Sequence, residues 1–263
     1  MTSVLEHFQG DAPIYLVHNG TQEATEKLLR DQFPQIQHLT LIRNHGFSGG
    51  ANFGLSQAFN RGAHAVLFLT NDTTLESLSL ENFATAGGGK DLAHHSFLMA
   101  PLIERRQTGK IDSMGGRADL FKGELRHLEF VEKTLPENFY VPGTAFVLSR
   151  KAWRETGHFD ETLGTYWEDV DYSLRARRRG VQLGVIPEIV IRHGVGKTCH
   201  KNPVYTVFYF HRNRRRVTWR HGHGKERFSF AIAYSFSTLG KVFKFLKNND
   251  ILRLKLLLRA LIS

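Results

Sequence analysis

Ala65-Val66-Leu67-Phe68-Leu69, followed by Thr70-Asn71-Asp72-Thr73-Thr74, decides the fold. Five apolar residues without polar alternation mark a strand covered on both faces, and such strands belong to sheets with helices above and below. Toward the N-terminus the same unit recurs. Ile14-Tyr15-Leu16-Val17 stops at the turn signal His18-Asn19-Gly20-Thr21. Residues 21–32 carry a helical apolar face through Ala24, Leu28 and Leu29, with Thr21 as N-cap and Pro34 beyond the end. Leu39-Thr40-Leu41-Ile42 is a further strand. The glycine-rich loop Asn44-His45-Gly46-Phe47-Ser48-Gly49-Gly50 then leads into a helix over residues 51–61. Strand, helix, strand, helix, strand predicts an α/β fold on a mostly parallel sheet with helices on both faces. Such sheets bind ligands beyond the carboxyl ends of their strands, and the loops at His18, Asn44 and Asn71 all fall on that edge. A short helix over residues 3–8 precedes the series.

Toward the C-terminus the pattern loosens. Residues 86–90 form a glycine-rich break, residues 97–103 a strand, and residues 105–123 a polar surface hairpin or loop. Residues 140–148 read as one strand containing Pro142-Gly143, residues 151–156 as a short helix, and Val185 with Ile189-Val190-Ile191 as a late strand closed by Arg192-His193-Gly194. Between them lies Gly164-Thr165-Tyr166-Trp167-Glu168-Asp169-Val170-Asp171-Tyr172-Ser173-Leu174-Arg175-Ala176-Arg177-Arg178-Arg179-Gly180. Val170, Leu174 and Arg178 are one helical turn apart, so a helix runs from Glu168 to Gly180. Three carboxylates in its first turn suit the positive end of the helix dipole. Capping accounts for one or two of Glu168, Asp169 and Asp171. Like charges this close also raise one another's proton affinity, which suits a general base. At this point both readings stand.

Of the 263 residues 41% are hydrophobic and 11% aromatic, which supports a packed core and excludes wholesale disorder. A net charge of +10 points to an anionic partner. The single cysteine, Cys199, excludes an intramolecular disulfide and a cysteine-rich zinc site, and fits a reducing compartment. Residues 1–13 show no signal-peptide pattern, and no apolar stretch reaches the length of a membrane span. The tail differs from the rest. Arginines interleave with aromatics over residues 208–220, and residues 228–262 are helical with a break at Asn248-Asn249-Asp250. Residues 241–262 alternate lysine and arginine with leucine and phenylalanine, the composition of a helix lying on an anionic membrane surface or of a helix packed on the core. Two units are expected, residues 1–220 and residues 221–263. Nucleic acid is not an expected partner, because the basic residues crowd into the tail while the expected cleft is acidic.

Single motifs carry little. Asn71-Asp72-Thr73 suits a divalent cation or an Asx turn; residues 46–54 suit a phosphate but lack a Walker lysine; His193 suits a metal ligand or a structural role. In order they are specific. Val17-His18-Asn19-Gly20-Thr21, Asn44-His45-Gly46-Phe47-Ser48-Gly49-Gly50-Ala51-Asn52, Leu69-Thr70-Asn71-Asp72-Thr73, Val141-Pro142-Gly143-Thr144-Ala145-Phe146, Gly157-His158-Phe159-Asp160-Glu161, Trp167-Glu168-Asp169-Val170-Asp171, His193 and His211-Arg212-Asn213-Arg214 together resemble the family 2 glycosyltransferases, in particular their rhamnosyltransferase-like branch. The resemblance covers residues 14–217.

The resemblance implies a GT-A fold that binds a nucleotide-sugar donor and a glycan or lipid-linked acceptor, with inverting transfer at the cytoplasmic membrane face. It implies Asp169 as catalytic base with Glu168 beside it. Donor contacts fall on His18, Asn19, Asn44, Gly49, Asn52, Asn71 and Asp72, and acceptor contacts on Gly143, Trp167 and Asp171. Mg2+ or Mn2+ is implied at Asp72 with His193. The sequence departs from the family in three places. Too few residues precede the first strand to supply the family's opening nucleoside-binding strand, His18 stands where an aspartate is usual, and Thr70 replaces an Asn or Asp. These departures give a second reading, a catalytically silent module that binds glycan or a partner.

Overall fold

The computed structural model describes residues 1–8, 12–78, 94–130, 134–194 and 202–263. The glycine-rich break at residues 86–90 and Cys199 lie outside the described residues. In chain order the elements are α1 (Thr2–Phe8), β1 (Tyr15–Asn19), α2 (Glu23–Gln32), β2 (Gln37–Leu41), α3 (Gly46–Asn60), β3 (Ala65–Leu69), β4 (Thr73–Ser77), β5 (Phe97–Arg105), β6 (Ile111–Ser113), β7 (Gly116–Asp119), β8 (Glu124–His127), β9 (Phe139–Tyr140), β10 (Ala145–Ser149), α4 (Arg150–Thr156), α5 (Glu168–Arg178) and β11 (Gln182–His193). A π-helical turn, Val204–Tyr209, then runs into α6 (Phe210–His221), followed by α7 (Gly224–Lys247) and α8 (Ile251–Ile262).

The central sheet has the order β3-β10-β5-β11-β4, with β6 added beside β5. Its core sits on both faces because side chains alternate along each strand. Leu98, Ala100, Phe146 and Leu148 pack with Leu55 and Phe59 of α3, Trp153 of α4 and Tyr172 of α5. Phe97, Met99, Ala145 and Val147 pack on the other side with Leu75 and Ile191, joined by Val4 and Phe8 of α1. The sheet is mixed rather than mostly parallel. β11 runs parallel to β5, while β10 is antiparallel to β3 and β5, and β4 is antiparallel to β11. Continuous apolar strands report burial on two faces; they carry no information on strand direction.

β1 and β2 form a separate parallel pair. Among the described residues β1 pairs only with β2, and β3 only with β10. One helix covers both strands. A Cβ on Gly54 of α3 would stand 2.9 Å from Val17 Cγ2, and Phe47 meets Phe68 edge to face at 5.5 Å. α3 begins at Gly46 and not at Ala51, so the glycine-rich stretch is its first turn rather than a loop. The reason is again close approach, since a Cβ on Gly50 would lie 2.8 Å from Asn19 Nδ2. α2 starts at Glu23 after Gln22, one turn position later than a Thr21 cap requires. The expected strand over residues 140–148 is broken between β9 and β10. Where a hairpin or loop is expected over residues 105–123 the structure forms hairpins, β5 with β6 and β7 with β8, and β9 joins the second in a small sheet.

The tail packs on this body. Leu256 and Leu257 of α8 are buried with Val207 of the π-helical turn, against Phe208, Val242 and Phe245. Tyr234 of α7 donates its hydroxyl to the His211 carbonyl at 3.1 Å, and Arg216 Nε donates to the Ser263 carbonyl at 3.1 Å. The apolar residues of the 241–262 segment are therefore partly spent on the protein itself.

His211, only 2% exposed, gives a pH test. Burial, with Lys241 and Arg214 nearby, lowers its pKa from 6.5 to about 4. The folded chain keeps the ring neutral where the unfolded chain takes a proton, so this group contributes stability near neutrality that falls as pH drops from about 6.5 toward 4, by up to ~1.4 kcal/mol per pH unit. Thermal melts of the native chain and of His211→Asn between pH 7 and about 5 should show a shallower loss for the variant; parallel slopes would mean that His211 does not titrate between the two states.

Candidate active site

Glu168 and Asp169 owe their place to an unusual turn. Tyr166 and Trp167 both adopt left-handed backbone, with φ of 64° and 72°. Bulky residues avoid this region, at a cost of about 1–3 kcal/mol each. Asn213 of α6 holds the turn. Its side-chain amide, fully buried, donates to the carbonyls of Leu163, Thr165 and Tyr166, each at 2.8 Å. Arg212 donates to the carbonyls of Thr162 and Leu163 at 2.7 and 3.0 Å. From the opposite side, Asn52 of α3 receives the Phe159 amide and donates to the Phe159 carbonyl, both at 2.9 Å, and the Ser48 amide reaches the Gly164 carbonyl at 3.1 Å. The carboxylate-bearing end of α5 is thus clamped between α3 and α6.

Asp169 accepts the Gly143 amide at 3.0 Å on Oδ2 and the Val170 amide at 2.8 Å on Oδ1. Burial raises its pKa above the ordinary aspartate range, against the pull of those two amides. Glu168 is more deeply buried, and its Oε2 has no hydrogen-bond partner among the described residues. Burial, and then the neighbouring Asp169 charge, push its pKa well up. The two adjacent carboxyls have unequal support: two backbone amides favour the charged form of Asp169, while burial without such donors favours the protonated form of Glu168.

Asp72 forms the second centre. Its Oδ2 meets His193 Nε2 at 3.1 Å, and its Oδ1 accepts the Thr70 hydroxyl at 2.8 Å. The His193 hydrogen bond holds the Asp72 carboxyl below the usual range, burial opposes it, and the Thr70 hydroxyl adds to the lowering. The two centres are physically joined. Thr70 binds the Thr144 carbonyl through its amide at 3.0 Å and its hydroxyl at 3.1 Å, and Thr144 follows Gly143, whose amide holds Asp169. A Cβ on Gly143 would stand 2.9 Å from the Phe47 ring, so only glycine lets this segment lie so close.

Several expected ligand residues are engaged with the protein itself in this structure. His18, next to the carboxyl end of β1, is 1% exposed and bonds His38 at 2.9 Å. Asn19 uses both ends of its amide on the α3 approach, donating to the Gly46 carbonyl and accepting the His45 amide at 2.8 Å each. Asn52 is spent on Phe159 and Glu161. Gly49 is buried against His45. Trp167 is 1% exposed, packed near Phe210, and offers no acceptor surface. Asp171 is fully buried, bonded to Arg175, Arg220 and His221 at 2.8, 2.8 and 2.9 Å. Burial alone would raise its pKa; the His221 hydrogen bond and the two arginines hold it far below the usual range. It ties α5 to α6. Asn44 is exposed, its Oδ1 accepting the Gly46 amide at 2.7 Å, and Asn71 is exposed beside Asp72. Asp72 and His193 do come together, as do Glu168, Asp169 and Gly143. Sequence reasoning placed Thr70, Thr144 and Arg212-Asn213 within motifs but did not foresee the Thr70–Thr144 contact or the clamping role of Arg212-Asn213.

As a donor set, one carboxylate and one imidazole in contact suit a divalent cation whose remaining positions are filled by ligand oxygens. No group of three or more such side chains occurs among the described residues. The residues present fit a cation bound jointly with a diphosphate.

A mixed α/β core that carries one carboxylate just after β3 and two at the start of α5 defines the class by its architecture. The family model "Glycosyl transferase family group 2" matches residues 65–261, and the chain belongs to that family. It is 24% identical over 184 residues to the low-salt glycan biosynthesis hexosyltransferase Agl10 of Haloferax volcanii, covering 68% of this chain and 59% of that protein. It is 21% identical over 192 residues to the dTDP-rhamnosyl transferase RfbF of Shigella flexneri, covering 69% and 62%. The chain therefore spans about three fifths of these two relatives. The structure of GalNAc-T7 with UDP, GalNAc and Mn2+ matches with a TM-score of 0.56 at 15% identity, over 79% of this chain and 41% of that one. S. aureus TarS matches with a TM-score of 0.50 at 15% identity, over 81% and 35%. These two likenesses establish the GT-A fold.

Asn213→Asp keeps the shape of the side chain and removes its donor group, leaving three carbonyls without their partner. Chemical denaturation should show a loss of about 2–4 kcal/mol. An unchanged midpoint would remove Asn213 from the clamp.

Proposed function

We propose that the chain carries an inverting glycosyltransferase site which moves a hexose or 6-deoxyhexose from a nucleoside diphosphate to a hydroxyl of a lipid-linked or polysaccharide acceptor. The observation that carries this reading is Asp169, partly exposed, held through both oxygens by backbone amides, with a raised pKa. Asp169 takes the proton of the acceptor hydroxyl; that oxygen forms the new bond to the anomeric carbon, and the bond to the diphosphate breaks with its electron pair leaving on the nucleoside diphosphate. A base with a raised pKa and two fixed amide contacts is both stronger and better aimed than a free aspartate. Glu168, neutral beside it, adds no second charge to oppose the approach of the acceptor.

Asp72 and His193 would hold Mg2+ or Mn2+, which when bound neutralises charge on the diphosphate. Thr70 fixes the Asp72 carboxylate for that task, and Arg106, which donates to the Thr74 hydroxyl at 2.6 Å, steadies the same loop. The names of the Haloferax and Shigella relatives support a hexose or rhamnose donor. The site works, in this reading, at the cytoplasmic face of an anionic membrane, with the helices after residue 220 as the membrane-proximal part.

Asp169→Asn should lower turnover at least about a hundredfold while leaving nucleoside diphosphate affinity within a factor of about two. Near-normal turnover in a radiolabelled transfer assay would remove Asp169 from the mechanism. Asp72→Ala should abolish the Mn2+-dependent part of nucleoside diphosphate binding in calorimetry, because no other carboxylate lies in the 69–74 loop. Equal affinity of the native chain with and without EDTA would overturn the metal assignment.

A further inference from the structure

α7 is the most exposed apolar element among the described residues. Phe228, Ile232, Phe236, Leu239, Phe243 and Leu246 are each at least 45% exposed, with Phe236 at 73%. Their spacing of 4, 4, 3, 4 and 3 residues places them on one face of the helix. The opposite face, with Phe230, Tyr234 and Thr238, is buried against the body. From residue 228 to residue 240 there is no charged side chain at all. Phe228 to Phe243 span about 22 Å of helix, four turns of uncovered apolar ridge. A soluble helix ordinarily reserves that face for charged residues.

The charges stand at the two ends. Lys225 and Arg227 precede the ridge, and Lys241, Lys244 and Lys247 close it. The helix has one acidic residue, Glu226, and its carboxylate accepts the His223 amide at 2.9 Å as part of the helix cap. A second copy docked along the ridge would meet like charge in either orientation, since both ends are basic. No helix among the described residues is long and apolar enough to cross a membrane. An apolar ridge with basic ends that does not span is the form of a helix lying in the plane of an anionic lipid surface.

We propose that the exposed face of α7 docks this protein on anionic phospholipid, with the phenylalanines and leucines in the acyl boundary and Lys225, Lys244 and Lys247 at the headgroups. This moves the expected membrane contact from residues 241–262 to residues 225–247, because α8 buries Leu256, Leu257 and Ala260 on the protein. The inference rests on the membrane-proximal reading of the helices after residue 220 and deepens it by naming the face and the lipid; it does not depend on the transfer chemistry.

The test is sedimentation of the full chain with vesicles of phosphatidylcholine and with vesicles enriched in phosphatidylglycerol. The native chain should sediment with the anionic vesicles and far less with the neutral ones. The triple variant Ile232→Ser, Phe236→Ser, Phe243→Ser should lose at least about tenfold in partition with an unchanged melting temperature, since these side chains are exposed. Should the triple variant not fold, Phe236→Ser alone is read, with an expected loss of at least about threefold. Lys244→Glu with Lys247→Glu should weaken binding strongly at low salt and less at high salt. Asp169→Asn should bind vesicles as the native chain does, so failure of the catalytic reading and failure of this one are separable. Native binding to anionic vesicles that survives the ridge substitutions, or no binding at all, would overturn the proposal. So would a dimer in sedimentation equilibrium that the triple variant abolishes, with no vesicle binding by either form.

Discussion

One side-chain amide organises the site. Asn213 places its two N–H groups where three carbonyls of the 163–166 segment converge, and it does so without any exposure to water. Backbone carbonyls that converge this way repel one another unless a donor sits between them. Asn213 supplies that donor, so the left-handed pair Tyr166-Trp167 is held in place despite its strain. The direction in which α5 leaves the turn, and with it the position of Asp169, follows. Arg212 repeats the device one residue earlier on the same segment.

This constraint explains why residues far apart in the chain behave as one object. Asn52 and the Ser48 amide press on the segment from α3, Arg212 and Asn213 from α6, and Asp171 bonds α5 to α6 through Arg220 and His221. The Asp72 centre is not independent of this frame. Thr70 is stapled to Thr144, and Gly143 beside it supplies the amide that Asp169 accepts. A shift of β3 against β10 would change the separation of the two carboxylates, and the hydrogen bonds from Thr70 to the Thr144 carbonyl oppose it. A transfer reaction needs that coupling, because the base and the groups that receive the leaving diphosphate must keep a fixed separation.

Much of this was legible in the sequence, and the limits have physical causes. The strands around Leu67, Leu98 and Val147 could be read because continuous apolar runs report two covered faces. Their directions could not, because antiparallel β10 is as apolar as parallel β5 and β11. The Glu168-Asp169 pair and the Asp72–His193 contact were legible from motif order. His18, Asn19, Asn52 and Asp171 have partners within the protein that the sequence does not reveal, for a shared reason. A polar residue in a glycine-rich or acidic motif reads as facing a ligand, yet each of these satisfies buried backbone or buried charge. Whether an amide side chain turns toward a ligand or toward its own chain depends on neighbours a hundred residues away, as Asn52 and Phe159 show. Asn213 is the converse case. In the sequence it stands only as part of the motif His211-Arg212-Asn213-Arg214, with no role of its own, while its side chain is fully buried and holds the turn.

The non-glycine residues at the turn carry the last piece of the argument. Glycine at positions 166 and 167 would adopt the same backbone without strain. Trp167, however, packs with Val170, Leu174, Leu163 and Val217 in a cluster that joins α5 to α6, and Tyr166 meets Phe210 edge to face at 5.9 Å. Burying a side chain of that size stabilises by about 1.5–3 kcal/mol, comparable to the cost of one left-handed residue. The strain is thus offset at the place where it arises, by apolar contact from the side chains and by Asn213 from the backbone. A glycine pair would relieve the strain but would remove the aromatic packing that holds the start of α5 on α6, leaving Asp171 and the Val170-Leu174-Val217 contacts to carry it. The carboxylates would then sit on a helix end still capped but less firmly aimed. That is why the capping and catalytic readings of the acidic stretch are compatible: Asp169 accepts the Val170 amide of its own helix and still presents a carboxylate fixed from outside by Gly143.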